Sequence, residues 1–248
     1  MNQKKLLVVR TTLVILSLSM CNSCTHKRAH LPPPWIGHQR IDTGADESLA
    51  LHKNHLAAAA QYKPIVLFVG DSITASWAST GKPAWDKYFA PLRSYDLAIG
   101  GENTQASLWR FEHHALDNLN PKVVVLMIGT NNLFINSTED TVHGILAVVY
   151  QLKLRLPKSK ILLLGILPRG LTPSNSVLRS KIRDTNLKLA AIDWKKVSFL
   201  DISETVLSPD QSVNSSLIPD GVHPSEEGYN RMAPQVSKAL NKLLLSDN

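Results

Sequence analysis

Val123-Val124-Val125-Leu126-Met127-Ile128 is apolar at every position. A strand with one wet face alternates apolar and polar residues. An unbroken run of this length instead asks for cover on both faces, as a parallel sheet between two helical layers provides. Similar short runs recur, so that strands are expected over 64–69, 94–99, 122–128, 160–166 and 197–201. Between them lie stretches with helical periodicity at 104–118, 138–156 and 176–193, and a last one at 226–245. Glu47 to Tyr62 also reads as a helix. In 138–156 the apolar residues Val142, Ile145, Leu146, Val149, Leu152 and Leu156 share one face, with Ser137 or Thr138 as cap. In the last segment Tyr229, Met232, Ala233, Val236, Leu240, Leu243 and Leu244 do the same behind Ser225. Alternating βα units of this length predict an α/β fold, a doubly wound three-layer α/β/α sandwich with a five-stranded parallel sheet.

The ends of the chain read differently. Lys4, Lys5 and Arg10 precede a largely apolar stretch, Thr11 to Met20, and then small residues and the two cysteines, Cys21 and Cys24. Residues 1–24 have the layout of a secretory signal, short and polar for a membrane span. A cysteine after such a core suggests lipid attachment. Cys24 follows the small Ser23, and Cys21 follows Leu18-Ser19-Met20, so either thiol is a candidate for anchoring the chain to a membrane. The expected location is the periplasm or cell envelope, as an exported lipoprotein. Residues 25–45, with Pro32-Pro33-Pro34, read as a tether or a strap over the domain at 46–248. No cysteine remains past residue 24, so that domain relies on its core. Three of the 27 Lys and Arg lie in the leader and none of the 20 acids does, leaving a mildly basic domain with 6% aromatics overall. Nucleic-acid binding has little support from that composition.

Chemistry collects after the strands. In an open parallel sheet ligands bind beyond the carboxyl ends of the strands. Gly70-Asp71-Ser72 follows the first, Gly100-Gly101 the second, Gly129-Thr130-Asn131-Asn132 the third, and Asp220-Gly221-Val222-His223-Pro224 comes after the last. A serine hydroxyl needs a base to remove its proton, and the base works best when a third group fixes its tautomer. Ser72, His223 and Asp220 supply those three residue types. Alone, Ser72 could equally cap a helix, Gly101 and Asn131 could be turn residues, and His223 a surface histidine. Asp71 reads as a brace for the serine loop. His52, His55, His113 and His114 have poor spacing for a metal, and neither metal nor cofactor is expected.

These four strings in order resemble the blocks of the SGNH (GDSL-type) hydrolases, named for their serine, glycine, asparagine and histidine. The resemblance runs from about residue 50 to the C-terminus. Leu108-Trp109-Arg110 and Leu163-Leu164-Gly165-Ile166-Leu167-Pro168-Arg169-Gly170 make the chain most similar, within that family, to the catalytic subunits of intracellular platelet-activating-factor acetylhydrolase and their bacterial relatives. The resemblance implies a flavodoxin-like sandwich and a serine esterase for short acyl esters, acetyl above all. It implies Ser72 as nucleophile, His223 as base and Asp220 as orienter, and an oxyanion hole from Ser72 N–H, Gly101 N–H and the Asn131 side chain. Related sites also run as a Ser–His dyad, which leaves the part of Asp220 open. The expected substrate is a small-molecule or glycan ester; the oligomeric state is not legible. The alternatives are a lipase, thioesterase or lysophospholipase on the same scaffold, or a surface glycan-binding lipoprotein without catalysis. Two departures from the family pattern stand out: Asp96 where asparagine is frequent, and Glu102-Asn103 in place of Asp-Thr. Trp77 is a candidate for the acyl pocket, the core or a lid, and Arg110 for an ion pair.

Overall fold

The computed structural model describes residues 31–170 and 176–246. The leader, Cys21 and Cys24 lie outside the described residues. Five parallel strands, β1 (Val66–Gly70), β2 (Ser94–Asp96), β3 (Val123–Met127), β4 (Lys160–Leu164) and β5 (Val197–Leu200), form one sheet in the order β2-β1-β3-β4-β5. That is the flavodoxin-like doubly wound order, whose crevice opens where strand order reverses, between β1 and β3. Register pairs Val66 with Val123 and Gly70 with Met127, so the ends of β1 and β3 lie level.

Period two sorts the strand residues between two cores. Leu67 and Val69 of β1, Val124 and Leu126 of β3, and Ile161 and Leu163 of β4 face one layer. That layer comprises α1 (Ala45–Tyr62), α4 (Thr104–Glu112), α5 (Thr138–Arg155) and α6 (Val177–Ala190). Val66, Phe68, Val123, Val125, Met127, Leu162 and Leu164 face the other, built on α3 (Lys82–Tyr88) and α7 (Glu226–Leu245). The apolar face of α5 packs as its periodicity predicts: Val142, Ile145, Val149 and Leu152 are all buried. Ser137 and Ser225 cap α5 and α7, accepting from the N–H groups of Asp140 and Gly228.

Two elements depart from the sequence reading. The helix expected over 104–118 stops at Glu112, because His114 and Asn118 take left-handed backbone (φ 74° and 60°) and turn the chain toward β3. β2 is three residues long rather than six, although Leu97 and Ile99 N–H still donate to Phe68 and Gly70 carbonyls. The short helices α2 (Ser72–Ala75) and α3 had no periodicity long enough to announce them. Among the described residues no helix is long and apolar enough to cross a membrane.

Residues 31–44 run along the outside of α4 and α5. Trp35 meets His143 edge-on with ring centroids 5.5 Å apart. Thr104 Oγ1 donates to the Pro34 carbonyl at 2.8 Å, and His38 N–H to the Gln105 carbonyl at 3.0 Å.

Candidate active site

β1 ends at Gly70, where a side chain would run into Thr74 and the carbonyl of Met127 on the neighbouring strand. The chain then turns abruptly. Asp71 caps α2 by accepting from Ile73 N–H at 3.0 Å, which makes Ser72 the first helical residue. First-turn N–H groups have no helical acceptor, and among the described residues that of Ser72 has none elsewhere. Its side chain is half-buried at the end of the sheet.

The second half of the site comes on the loop before α7. Ser225 N–H donates to the Leu217 carbonyl at 2.8 Å within this loop, and Gly170 N–H, on the segment that follows β4, to the Gly221 carbonyl at 2.6 Å. His223 Nε2 lies 2.8 Å from Ser72 Oγ. His223 Nδ1 lies 2.7 Å from Asp220 Oδ2. A carboxylate only accepts, so Nδ1 carries the proton and the Nε2 lone pair faces the serine hydroxyl. Asp220 Oδ1 accepts in turn from the N–H groups of Val222 (2.8 Å) and His223 (2.7 Å). Slight burial raises the Asp220 pKa, but hydrogen bonds from His223 backbone and ring and from Val222 outweigh it and hold it at about 2. The carboxylate is therefore charged at neutral pH. Both groups stay open to solvent, with side chains 42% and 55% exposed.

The loops after β2 and β3 close the ring of four blocks. Gly100 packs against Ser72, an added Cβ there standing 3.8 Å from Ser72 Cβ. Gly101 has φ +76°, and its N–H has no acceptor among the described residues. Asn131 Nδ2 donates to the Glu102 carbonyl at 2.8 Å, which fixes the amide orientation and leaves its second N–H unused. Ser72, Gly101, Asn131, Asp220 and His223, distant in sequence, thus share one rim of the sheet.

Residues 68–231 match the model of the GDSL-like lipase/acylhydrolase family. The chain belongs to that family. It is 33% identical to the platelet-activating factor acetylhydrolase IB subunit alpha2 of Rattus norvegicus over 215 residues, 86% of this chain and 92% of that subunit. Among solved structures, a Bacteroides fragilis protein assigned as an acylhydrolase is 28% identical, with a TM-score of 0.64 over 77% of this chain and 96% of its own. A GDSL-like lipase from Bacteroides thetaiotaomicron is 25% identical, with a TM-score of 0.64 over 79% and 97% of the two chains.

Several residues of this acylhydrolase were hidden from a sequence reading. Asn132, beside Asn131, is fully buried and clasps two blocks together. Its Oδ1 accepts from Thr104 N–H at 3.0 Å, and its Nδ2 donates to Thr104 Oγ1 and Gln105 Oε1, both at 3.0 Å. Only the Asn-Asn pair hinted at it, since one asparagine cannot face both the rim and the interior. Arg169 reaches Thr130 Oγ1 at 3.3 Å and covers the ring of Phe134 at 4.1 Å. Its guanidinium interacts with Asp71 and Asp220, placing a positive charge beside the site. Burial pushes Asp71 up to about 7 against the pull of the Ile73 hydrogen bond. Trp77 is core: its ring is fully buried, 5.1 Å from Phe89 and 4.5 Å from Tyr229. Arg110 forms a buried ion pair with Glu102 at 3.0 Å. Its Nη2 donates to His55 Nδ1 at 3.2 Å, and burial together with the Arg110 charge brings both His52 and His55 down to about 4. These two imidazoles are neutral packing groups. Among the described residues no His, Cys, Asp and Glu cluster could hold a metal.

Proposed function

We propose that the chain is an exported serine esterase that removes short acyl groups, acetyl above all, from ester substrates. One observation carries this reading: the unbroken line from Ser72 Oγ to His223 Nε2 and from His223 Nδ1 to Asp220, at 2.8 and 2.7 Å. Ser72 Oγ attacks the ester carbonyl while His223 takes its proton. His223 then returns that proton to the leaving alcohol, and water repeats the cycle on the acyl-enzyme. Asp220 holds the ring and stabilises the imidazolium. The tetrahedral oxyanion is received by the N–H groups of Ser72 and Gly101 and by the free amide N–H of Asn131.

The preference for acetyl draws support from relatedness to acetylhydrolase subunits along 92% of their length. The exposed side of His223 leaves the alcohol half in the open, as a bulky acetylated carbohydrate requires, and the basic-then-apolar leader fits delivery to the cell envelope. A series of p-nitrophenyl esters, acetate, butyrate, octanoate and laurate, tests the acyl preference. The expected kcat/KM is highest for acetate and falls by at least about tenfold at octanoate, the scale of one or two kcal/mol of lost fit. A maximum at octanoate or laurate identifies a lipase-type enzyme and overturns the acetyl reading.

A further inference from the structure

Besides the Trp35–His143 contact, the segment before α1 meets the first turn of α4 and the glycine loop ahead of it, one contact after another. Gln105 Nε2 donates to the Pro32 carbonyl at 3.1 Å, Thr104 Oγ1 to that of Pro34, and His38 N–H to that of Gln105. The last contact is charged: Arg40 Nη1 donates to the carbonyl of Gly100. Arg40 is aimed by Asp42, whose two carboxylate oxygens accept from Nε at 2.7 and 2.9 Å. Asp42 is itself held by Gly44 N–H at 2.9 Å, at the threshold of α1. The guanidinium lies against Gly101, where a Cβ would stand 2.5 Å from Nη2 and 2.7 Å from Cζ.

The carbonyl of Gly100 and the N–H of Gly101 belong to one planar trans peptide and point in opposite directions. Between two glycines such a plane has little steric restraint, since each residue reaches both signs of φ. The turn bond from Glu102 N–H to the Ile99 carbonyl at 3.3 Å closes the loop but is compatible with either orientation of this central plane, so a partner outside the loop can select one. A cationic donor on the carbonyl does so, and it also draws electron density toward the oxygen, which makes the N–H across the same peptide a stronger donor. We propose that Arg40 is a positioning residue that sets the direction and donor strength of the Gly101 N–H through the Gly100 carbonyl. The inference rests on the oxyanion role given to Gly101 above. It also ties the N-terminal segment to turnover, because the residue that aims the donor is carried on the strap.

The test compares the full-length chain with Arg40→Ala and Arg40→Lys on p-nitrophenyl acetate. Loss of an oxyanion donor costs about 100- to 1,000-fold in turnover, so a donor that remains but loses its aim is expected to cost about 10- to 100-fold in kcat, with KM within about twofold. Affinity for an acetyl-like trifluoromethyl ketone, which forms a tetrahedral adduct, falls by the same factor as kcat. Arg40→Lys keeps the charge and recovers part of the loss, and added ethylguanidinium recovers part of it for Arg40→Ala. A kcat within twofold of wild type in Arg40→Ala overturns the proposal. So does a loss confined to KM with ketone affinity unchanged. Ser72→Ala run alongside separates the two readings: if it hydrolyses the ester like wild type, the serine mechanism itself is wrong, whatever Arg40 does.

Discussion

Asp96 carries the sharpest residue-level consequence of burial. Its Oδ1 accepts from Ala98 N–H at 2.9 Å, but its buried Oδ2 has no partner among the described residues, and burial pushes the group up to about 8. In the unfolded chain an aspartate titrates near 4. Between those values the folded state holds a proton that the unfolded state has released, so stability falls as pH rises through the window. Asp96→Asn removes that group's contribution to the pH dependence. Thermal melts are expected to show the variant more stable than wild type by several degrees at pH 8.5, with the gap closing toward pH 4. One kcal/mol corresponds to roughly 2–4 °C for a chain of this size. A gap independent of pH contradicts the assignment. From sequence, Asp96 stood out only as a departure; its burial and its missing partner depend on how β2 sits beside β1.

At the scale of elements, α4 is the piece that joins chemistry to scaffold. Asn103 caps it, accepting from Ala106 N–H at 2.9 Å, and the Asn132 clasp holds its first turn against the loop after β3. Its interior end is fixed by Arg110, which pairs with Glu102 and donates to the Leu97 carbonyl at 2.9 Å, while Ser107 Oγ donates to the other Glu102 oxygen at 3.0 Å. Arg110→Met leaves Glu102 buried and unpaired, which is expected to cost about 3–5 kcal/mol in urea unfolding. Adding Glu102→Gln removes the orphaned charge and is expected to recover a substantial part of that loss. Equal stability of the single and double variants contradicts this account of the pair. The motif Leu108-Trp109-Arg110 suggested an ion pair, yet its partner lay eight residues back on a loop whose path no periodicity predicts.

The whole molecule explains why some features were legible and others not. Apolar runs such as Val123 to Ile128 are a direct imprint of a sheet covered on both faces, and β1, β3 and β4 formed where such runs stood, while β2 and β5 formed on shorter, mixed segments. Ser72, Gly101, Asn131 and His223 could be chosen because their strings follow strands in order and together resemble the four blocks of the family; position alone left each of them open. Arg40 and Arg169 could not, because a lone arginine on a loop says nothing about the carbonyl or ring it will meet. The short helices after β1 were likewise silent. What the fold brings together at that rim is a serine hydroxyl 2.8 Å from an imidazole nitrogen, and the central proposal is that they act as nucleophile and base. The most direct measurement is labelling with a fluorophosphonate, read by intact mass and peptide mapping, on wild type, Ser72→Ala and His223→Ala. The account predicts a single adduct on Ser72 in wild type, none in Ser72→Ala, and labelling slowed by at least about 1,000-fold in His223→Ala. Wild-type labelling of Ser72→Ala, or an adduct on any other residue, contradicts it.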